Sequence, residues 1–294
     1  MKKKIKIFLT GSTGFVGYNF LKIVNPREYE ILRPSKKKLN LKNFKRVQEY
    51  LKANNPDIIL NLASYTNSKT RSKFEDYRQF NNTIIPIINL CKASDENLKL
   101  FIGVGSIEEY GNCFAPFKEN SKPKPISSYG IAKYKSYLQF KKICKRKKIR
   151  NIWLRPSLMF GNKMKSGRLM QNIIVSYKKN KKMTINNPLS IRDHLYVGDF
   201  CRILILIIKK YKNFNNNVYN VTSENWMSNK NLVKKISKIA GNNYNILFDI
   251  SSKNVDINFY NSGSKLRKMI KSFKFTSFKK GLIETFKFNN LNLS

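Results

Sequence analysis

Acidic side chains, histidine and cysteine are all scarce in this sequence. Its 294 residues include 58 Lys and Arg but only 17 Asp and Glu, one His and four Cys, so the formal net charge is +41. The cysteines stand at 91, 113, 144 and 201, without a Cys-x-x-Cys pair. Because a structural zinc site needs closely spaced Cys or His ligands, we expect no metal site. Isolated cysteines favour free thiols in a reducing cytoplasm.

Long hydrophobic runs are absent as well. The longest apolar run covers residues 203–208, far short of the ~20 residues that a membrane-spanning helix needs. The basic start MKKKIKIFLTGS alternates apolar and polar residues, which is typical of a strand and not of a signal peptide. We therefore predict a cytoplasmic protein without a membrane span. With 41% hydrophobic residues, the chain can nevertheless bury a sizeable core.

The large positive charge permits two interpretations. A basic surface can bind nucleic acid or an anionic membrane. Alternatively, abundant Lys, Asn, Ile, Phe and Tyr with little Ala reflects the codons of an AT-rich genome. Because the Lys residues are spread along the whole chain, we favour the second interpretation. Nucleic acid is then not an expected partner, and a non-catalytic RNA-binding protein remains the remote alternative. The positive field would still help gather a phosphate-bearing substrate.

Short β-branched runs alternate with segments of helical periodicity as far as residue 160. The strands are predicted at 5–10, 29–32, 57–62, 98–105 and 149–154, and the helices at 15–24, 44–53, 84–92 and 129–147. Strands separated by helices of this length indicate an α/β fold with a parallel sheet covered on both faces. We therefore predict a doubly wound Rossmann sheet.

The alternation changes after residue 160. Helices are predicted at 169–178, 200–210, 228–240 and 278–286, and short strands at 195–197 and 218–221. We predict a Rossmann domain of residues 1–160, with residues 191–221 returning to its sheet. Residues 161–190 and 222–294 would form a smaller, discontinuous C-terminal lobe that binds the substrate.

The segment TGSTGFVG, Thr10 to Gly17, follows the first predicted strand and opens the first helix. Gly11 can adopt a tight turn, Gly14 lets the backbone approach a pyrophosphate, and Gly17 lets the helix pack close to the strand. The free N–H groups at a helix N-terminus also favour phosphate. The predicted dinucleotide contacts in this turn are Gly11, Thr13, Gly14, Phe15, Val16 and Gly17.

The end of the second strand, Leu32-Arg33-Pro34-Ser35-Lys36, carries no carboxylate. An acidic residue there would bind the ribose 2′-hydroxyl of NAD, whereas the guanidinium of Arg33 suits the 2′-phosphate of NADP. The sequence therefore predicts NADP(H) as the preferred cofactor and leaves NAD possible. Arg33 could instead be one more cation in a basic protein.

Tyr129 and Lys133 lie one turn apart on one face of a predicted helix. A free tyrosine has a pKa of about 10, and a neighbouring ammonium lowers that pKa by stabilising the phenolate. Tyr129 could then exchange a proton with a carbonyl or an alcohol near neutral pH. Ser106, at the end of the fourth strand, could donate a second hydrogen bond to the same oxygen. We predict these three as catalytic residues.

These segments together resemble the extended branch of the short-chain dehydrogenase/reductase family over nearly the whole chain. The resembling segments are 10–17, Asn61-Leu62-Ala63-Ser64, Ser106–Gly111, Ser128–Lys133, Leu154-Arg155-Pro156-Ser157, Ser190–Asp199 and Phe275–Leu282. The resemblance implies cofactor contacts from Leu62, Ala63, Ser64, Asn82, Tyr129, Lys133 and Pro156. It implies substrate contacts from Ser106, Glu108, Tyr129 and Arg192, with Arg192 on the phosphates of a nucleotide-diphosphate sugar.

Departures from the family pattern bear on the reaction. Ile107 stands where 4,6-dehydratases carry the Asp that expels a hydroxyl, and Glu108 stands where reducing epimerases carry Cys. Leu158 replaces the Asn of many epimerases and dehydratases. These departures favour NADPH-dependent reduction of a 4-keto-6-deoxy sugar, with a 4-epimerase that holds NAD tightly as the alternative. His194 stands where the family has an aromatic residue and is predicted to be packed. Because many relatives pair, we expect a homodimer.

Overall fold

A parallel sheet of six strands lies at the centre of the protein. The computed structural model describes residues 3–66, 71–165, 167–179, 181–240, 246–249 and 258–289. Its strands are β1 (Ile5–Thr10), β2 (Tyr29–Leu32), β3 (Ile58–Asn61), β4 (Leu100–Val104), β5 (Asn151–Pro156), β6 (Leu158–Phe160), β7 (Met183–Asn186), β8 (Ile191–Tyr196), β9 (Asn217–Val221), β10 (Trp226–Ser228) and β11 (Ile246–Asp249). Its helices are α1 (Phe15–Ile23), α2 (Phe44–Asn54), α3 (Lys73–Gln79), α4 (Ile85–Ala93), α5 (Ser128–Arg146), α6 (Leu169–Lys178), α7 (Val197–Lys209), α8 (Asn229–Ala240), α9 (Ser264–Met269) and α10 (Phe278–Phe288). None of the helices in these ranges is long and apolar enough to cross a membrane.

The six strands run in the order β2-β1-β3-β4-β5-β9, and every neighbouring pair is parallel. Successive side chains of a strand point to opposite faces of its sheet. Ile7 and Leu9 of β1 accordingly pack in one buried cluster with Phe200 of α7, whereas Phe8 packs in another with Phe140 of α5. Helices therefore cover both faces, and the predicted doubly wound Rossmann sheet is confirmed.

The chain after residue 160 contributes to two smaller sheets. β8 pairs in parallel with β6 and antiparallel with β10, and β7 pairs in parallel with β11. The helices α6, α8 and α10 share a third apolar cluster that includes Ile173, Leu232 and Phe286. Within residues 191–221, β9 joins the six-stranded sheet, whereas β8 belongs to the three-stranded sheet. The division into a Rossmann domain and a substrate-binding lobe stays a prediction.

The helix predicted at 84–92 is the second half of a longer helical segment. α3 begins after Ser72, whose Oγ accepts a hydrogen bond from the backbone N of Glu75 at 3.1 Å. A π-helical turn at Phe80–Ile84 then joins α3 to α4. Phe74 and Tyr77 of α3 are 66% and 68% exposed, so these apolar side chains do not pack into the core. The π-helical turn interrupts the 3.6-residue spacing of apolar side chains between α3 and α4. The apolar pattern in the sequence therefore indicates only α4.

Candidate active site

A cavity of about 1200 Å³ opens at the carboxyl ends of the parallel strands. One side, the sheet wall, consists of residues 10–17, 62–66, 104–108 and 156–158 together with Tyr129 and Lys133 of α5. The other side, the second wall, consists of residues within 159–170 together with Asn186, Arg192, His194 and Asn229. Ligands of open α/β sheets bind at this end of the strands, so the cavity is the candidate active site.

Nearly all residues that the sequence singles out lie on this cavity. They are Gly11, Thr13, Gly14, Phe15, Val16, Gly17, Leu62, Ala63, Ser64, Asn82, Ser106, Glu108, Tyr129, Lys133, Pro156 and Arg192. Asn82 belongs to the π turn, and its Nδ2 donates to the carbonyl of Arg78 at 2.8 Å. Its sequence neighbour Asn81 does not line the cavity.

Arg33 is the exception among the predicted contacts. It is exposed and does not line the cavity, whereas Ser35, Lys36 and Lys42 do. The Nδ2 of Asn89 donates to the carbonyls of Leu41 and Lys42 at 2.9 and 3.0 Å, which holds the backbone of this loop. The structure therefore brings lysines to the place where the sequence predicts an arginine.

The Gly-rich turn approaches β3 so closely that side chains are excluded. Gly11 has a φ of +70°, and a Cβ there would lie 2.7 Å from the backbone N of Ala63. A Cβ on Gly17 would lie 2.3 Å from the carbonyl O of Gly11. Gly14 precedes α1 without a side-chain cap, and the first turn of α1 holds no acidic residue. These features fit a dinucleotide, because the first N–H groups of α1 can bind its phosphates.

Ser106, Tyr129 and Lys133 meet at the end of β4. Ser106 and Tyr129 both line the cavity there, and the Oγ of Ser106 accepts a hydrogen bond from the backbone N of Glu108 at 3.2 Å. The Nζ of Lys133 donates to the carbonyl of Val104 at 2.7 Å. α5 approaches this turn closely, since a Cβ on Gly130 would lie 2.4 Å from the carbonyl O of Glu108.

The electrostatics of the tyrosine differ from the sequence-based expectation. Burial raises the pKa of Tyr129 above its ordinary value, and the negative charge of Glu108 raises it further. Burial lowers the pKa of Lys133 to about 8, while the charge of Glu109 acts in the opposite direction. The net shift of the Tyr129 pKa is therefore upward, whereas the sequence predicts a downward shift from Lys133 alone. A tyrosine that keeps its proton at neutral pH is suited to donate one.

A hydrogen-bond bridge ties the turn after Ser106 to the C-terminal segment. The hydroxyl of Tyr110 donates to Oδ1 of Asn220 at 2.7 Å. The Nδ2 of Asn220 in turn donates to the carbonyls of Phe117 and Ser262 at 3.0 and 3.2 Å. The backbone N of Ser262 donates back to the carbonyl of Phe117 at 2.9 Å. Residues from three distant parts of the chain thus hold this turn.

Residues 7–222 match the family model described as the NAD dependent epimerase/dehydratase family. The chain belongs to this family. The matched region contains the Gly-rich turn, Ser106, Tyr129, Lys133 and Arg192, and it ends just after β9. Membership supports an NAD(P)-dependent enzyme that binds a nicotinamide cofactor.

Individual relatives in this family carry several activities. A GDP-6-deoxy-D-talose 4-dehydrogenase of Aggregatibacter actinomycetemcomitans is 28% identical over 218 residues, which cover 70% of this chain and 71% of that protein. The dTDP-4-dehydrorhamnose reductase of Bacillus anthracis, solved with NADP, has a TM-score of 0.83 at 21% identity, covering 97% of this chain and 99% of that one. The UDP-glucose 4-epimerase of Thermotoga maritima, solved with UDP-glucose, has a TM-score of 0.85 at 20% identity with the same coverage. The two solved structures show the fold that this family member shares.

Arg168 and Glu108 add charges to the cavity of this family member. Arg168, which sequence reasoning missed, is an exposed cation directly before α6, and its charge acts on both Glu108 and Tyr129. Burial raises the pKa of Glu108, whose Oε2 accepts a hydrogen bond from Ser127 at 2.8 Å. A lone basic residue in a Lys-rich loop gives no sequence signal that distinguishes it, so only the folded chain reveals Arg168.

Two further residues of the second wall differ in exposure. The guanidinium of Arg192 lies 5.8 Å from the ring centroid of Phe259 and is partly exposed. His194 is only 5% exposed, and its ring packs 6.3 Å from that of Phe278, as expected for a packed strand residue. It nevertheless lines the cavity. Burial lowers the pKa of His194 to about 4, and the charges of Arg192 and Lys235 act in the same direction.

Proposed function

We propose that the protein is an NADPH-dependent reductase of a nucleotide-diphosphate sugar that carries a 4-keto-6-deoxy ring. The observation that carries this proposal is the position of Tyr129, which lines the cavity together with Ser106 and Lys133 at the carboxyl ends of the strands. Burial raises its pKa, in keeping with a group that donates a proton. A reductase needs a proton donor at this place, whereas an oxidation needs a base. The turn from Gly11 to Gly17 and the N-terminus of α1 would hold the pyrophosphate of the cofactor.

The chain's own residues supply the proton and the charge. A nicotinamide cofactor held at the Gly-rich turn and α1 would supply the hydride for this reduction. Ser106 donates a hydrogen bond to the carbonyl oxygen, and Tyr129 gives its proton to that oxygen as it becomes an alkoxide, so the product is an alcohol. The ammonium of Lys133, one turn along α5, stabilises the phenolate that remains on Tyr129.

Substrate phosphates fit the cations of the second wall. Arg168 and Arg192 both line the cavity there, and arginine binds phosphate through paired hydrogen bonds. The phosphates of a nucleotide-diphosphate sugar are complementary in charge to both cations, whereas a neutral sugar is not. The relative from Aggregatibacter, named for a GDP-linked 6-deoxy sugar, supports a nucleotide-linked deoxysugar as the substrate class.

The preference for NADPH rests on the loop after β2. Lys36 and Lys42 line the cavity, and this loop presents no Asp or Glu to it. A ribose 2′-phosphate would find two ammonium groups there, whereas the 2′-hydroxyl of NADH would find no carboxylate. Ser35 offers a further hydrogen bond.

A homodimer is part of the same proposal. Phe74, Tyr77 and Phe80 on the α3 and π-helical segment are at least half exposed, and Leu138 of α5 is 44% exposed. Such an apolar group on the surface of two helices suits a second copy of the chain. Light scattering coupled to gel filtration tests this, with Phe74→Asp/Tyr77→Asp as the variant expected to be monomeric.

The reaction is tested by following NADPH oxidation with GDP-, dTDP- and UDP-linked 4-keto-6-deoxy sugars. We expect turnover with at least one of them and none with the corresponding nucleotide alone. The variant Tyr129→Phe is the matched control, because it removes one hydroxyl and keeps the ring. Failure of the parent protein with every sugar would contradict the proposal. Purified protein that carries NAD and interconverts 4-epimers without consuming NADPH would indicate the epimerase instead.

A further inference from the structure

The carboxylate of Glu109 is buried directly behind Ser106 and is wholly inaccessible to solvent. Its Oε1 accepts hydrogen bonds from the backbone N of Ser106 at 3.0 Å and from Nε1 of Trp153 at 2.9 Å. Its Oε2 accepts from Nε of Arg155 at 2.7 Å. Each oxygen of this carboxylate is therefore fixed by neighbours in β5 or at the end of β4.

Arg155, which forms an ion pair with Glu109, is buried as well. The side chain of Arg155 is 2% exposed, and its guanidinium lies 4.7 and 5.1 Å from the ring centroids of Tyr110 and Tyr137. A buried ion pair adds little net stability, since desolvation offsets most of the attraction, and apolar residues of similar volume usually serve a core as well. This ion pair sits against the site, so a role in the site accounts for it better than core stability.

The end of β4 is shaped to admit the carboxylate. A Cβ on Gly105 would lie 1.9 Å from Oε1 of Glu109 and 2.3 Å from Nε1 of Trp153, so any side chain there would displace both. The residue before Gly105, Val104, accepts the hydrogen bond of Lys133, and the residue after it is Ser106. Three successive residues therefore contact Lys133, make room for Glu109 and carry the hydroxyl.

We propose that Glu109 is a positioning residue, whose carboxylate fixes Ser106 and places a buried negative charge behind the end of β4, where Lys133 is hydrogen-bonded. This role rests on the proposed function, in which Ser106 orients the carbonyl and Lys133 stabilises the phenolate. The effect of Glu109 on the pKa of Lys133 agrees with it, because that charge raises a pKa that burial lowers to about 8. The titratable groups around the carboxylate are Arg155 of β5, Tyr110, and Tyr129, Lys133 and Tyr137 of α5.

The variant Glu109→Gln tests the charge and keeps the shape. Its side-chain oxygen can still accept from Ser106 and Trp153, but it carries no charge. Without that charge, Lys133 loses its proton at lower pH, so the alkaline limb of the kcat profile moves to lower pH. We expect kcat at pH 7.5 to fall at least ~10-fold, less than the ~100-fold or more expected on removing an acid–base group itself, and KM for NADPH to stay within about twofold.

The protonation of Lys133 can also be read without any turnover. A small acylating reagent modifies only the unprotonated amine. Peptide mass spectrometry after labelling at a series of pH values therefore gives the pH at which half of Lys133 has lost its proton in the folded protein, here called the Lys133 midpoint. We expect this midpoint to be lower in Glu109→Gln and restored in Glu109→Asp. If Glu109→Gln does not fold because Arg155 is left unpaired, Glu109→Gln/Arg155→Met removes both charges and is expected to lower the midpoint too.

Asp199→Asn is the matched control. Asp199 is also fully buried, and its carboxylate accepts from the backbone N and Oγ1 of Thr276 at 2.8 and 2.6 Å, outside the cavity. This variant should lower the melting temperature and leave the Lys133 midpoint unchanged. A Glu109→Gln protein that is less stable but has the parent midpoint and pH profile would overturn the proposal. If the parent protein has no reductase activity but its Lys133 midpoint still depends on Glu109, the proposed reaction is contradicted and the role of Glu109 is not.

Discussion

The sheet wall and the second wall of the cavity hold their functional side chains in different ways. On the sheet wall, Ser106 and Lys133 are 8% and 5% exposed, and each is hydrogen-bonded to the backbone at the end of β4. On the second wall, Arg168 is exposed and Arg192 is partly exposed. Catalysis needs reacting groups held within fractions of an ångström, whereas charge recognition tolerates movement. Under the proposed function, chemistry would belong to the sheet wall and substrate selection to the second wall.

The sharpest test of this comparison is Tyr129→Phe. Removing the phenolic proton donor should lower kcat at least ~100-fold, the scale of losing a general acid. Affinity for NADPH, measured by quenching of protein fluorescence, should change less than about threefold because the ring remains. A variant that loses cofactor affinity and kcat in proportion would show that Tyr129 is structural.

The second wall should respond in KM and not in kcat. In Arg192→Ala, we expect KM for the sugar nucleotide to rise about 10- to 100-fold, since a charge-assisted hydrogen bond contributes about 1.5–3 kcal/mol. Arg146→Ala, an exposed arginine of α5 outside the cavity, is the control for net charge. If both variants raise KM equally, the overall field and not a specific contact attracts the substrate.

His194 provides a pH test of the buried part of the second wall. Its folded-state pKa of about 4 lies below the ordinary value of 6.5, so the folded protein disfavours the protonated form. The stability that this contributes is fully present above pH 6.5 and is lost as the pH falls toward 4. At pH 5 we expect a cost of about 2 kcal/mol relative to pH 7.5. His194→Phe should lose this part of the pH dependence of the melting temperature, and an unchanged dependence would contradict the assignment.

The smallest effect is expected in the loop after β2, where the 2′-phosphate of NADPH would bind. In Lys36→Ala, the ratio of kcat/KM for NADPH to that for NADH should fall about threefold, since an exposed ion pair contributes only about 0.2–1 kcal/mol. Arg33→Ala should change the ratio less, because Arg33 does not line the cavity. The opposite ranking of the two variants would restore Arg33 as the residue that contacts the 2′-phosphate.

Local sequence patterns indicated most of the sheet wall, whereas on the second wall they indicated Arg192 and His194 but not Arg168. The strands of the central sheet are short β-branched runs, and the Gly-rich turn needs glycine because its backbone contacts Ala63 and the turn itself. Such constraints act over a few residues, so they are visible in the sequence. The same holds for Ser228 at the start of the helix predicted at 228–240, whose Oγ accepts a hydrogen bond from the backbone N of Asn231 at 3.1 Å.

The features that sequence reasoning missed depend on distant contacts. Glu109 reads as an ordinary acidic residue until Arg155 and Trp153 fold against it. The pKa of Tyr129 follows from burial and from Glu108 more than from its helical neighbour Lys133. Arg168 is identified only from the fold, which places the start of α6 at the cavity. None of these properties is set by spacing along the chain.

The hydrogen bonds of Asn220 have a consequence for synthesis on the ribosome. Tyr110 and Phe117 emerge long before Asn220, and Ser262 emerges later still, yet these residues share one set of hydrogen bonds. A nascent chain that stops before residue 258 already contains the Gly-rich turn and Tyr129, but it lacks the last partner of the turn behind Ser106. We therefore expect translation to yield a nucleotide-binding intermediate first and an active enzyme only after the C-terminal segment is released.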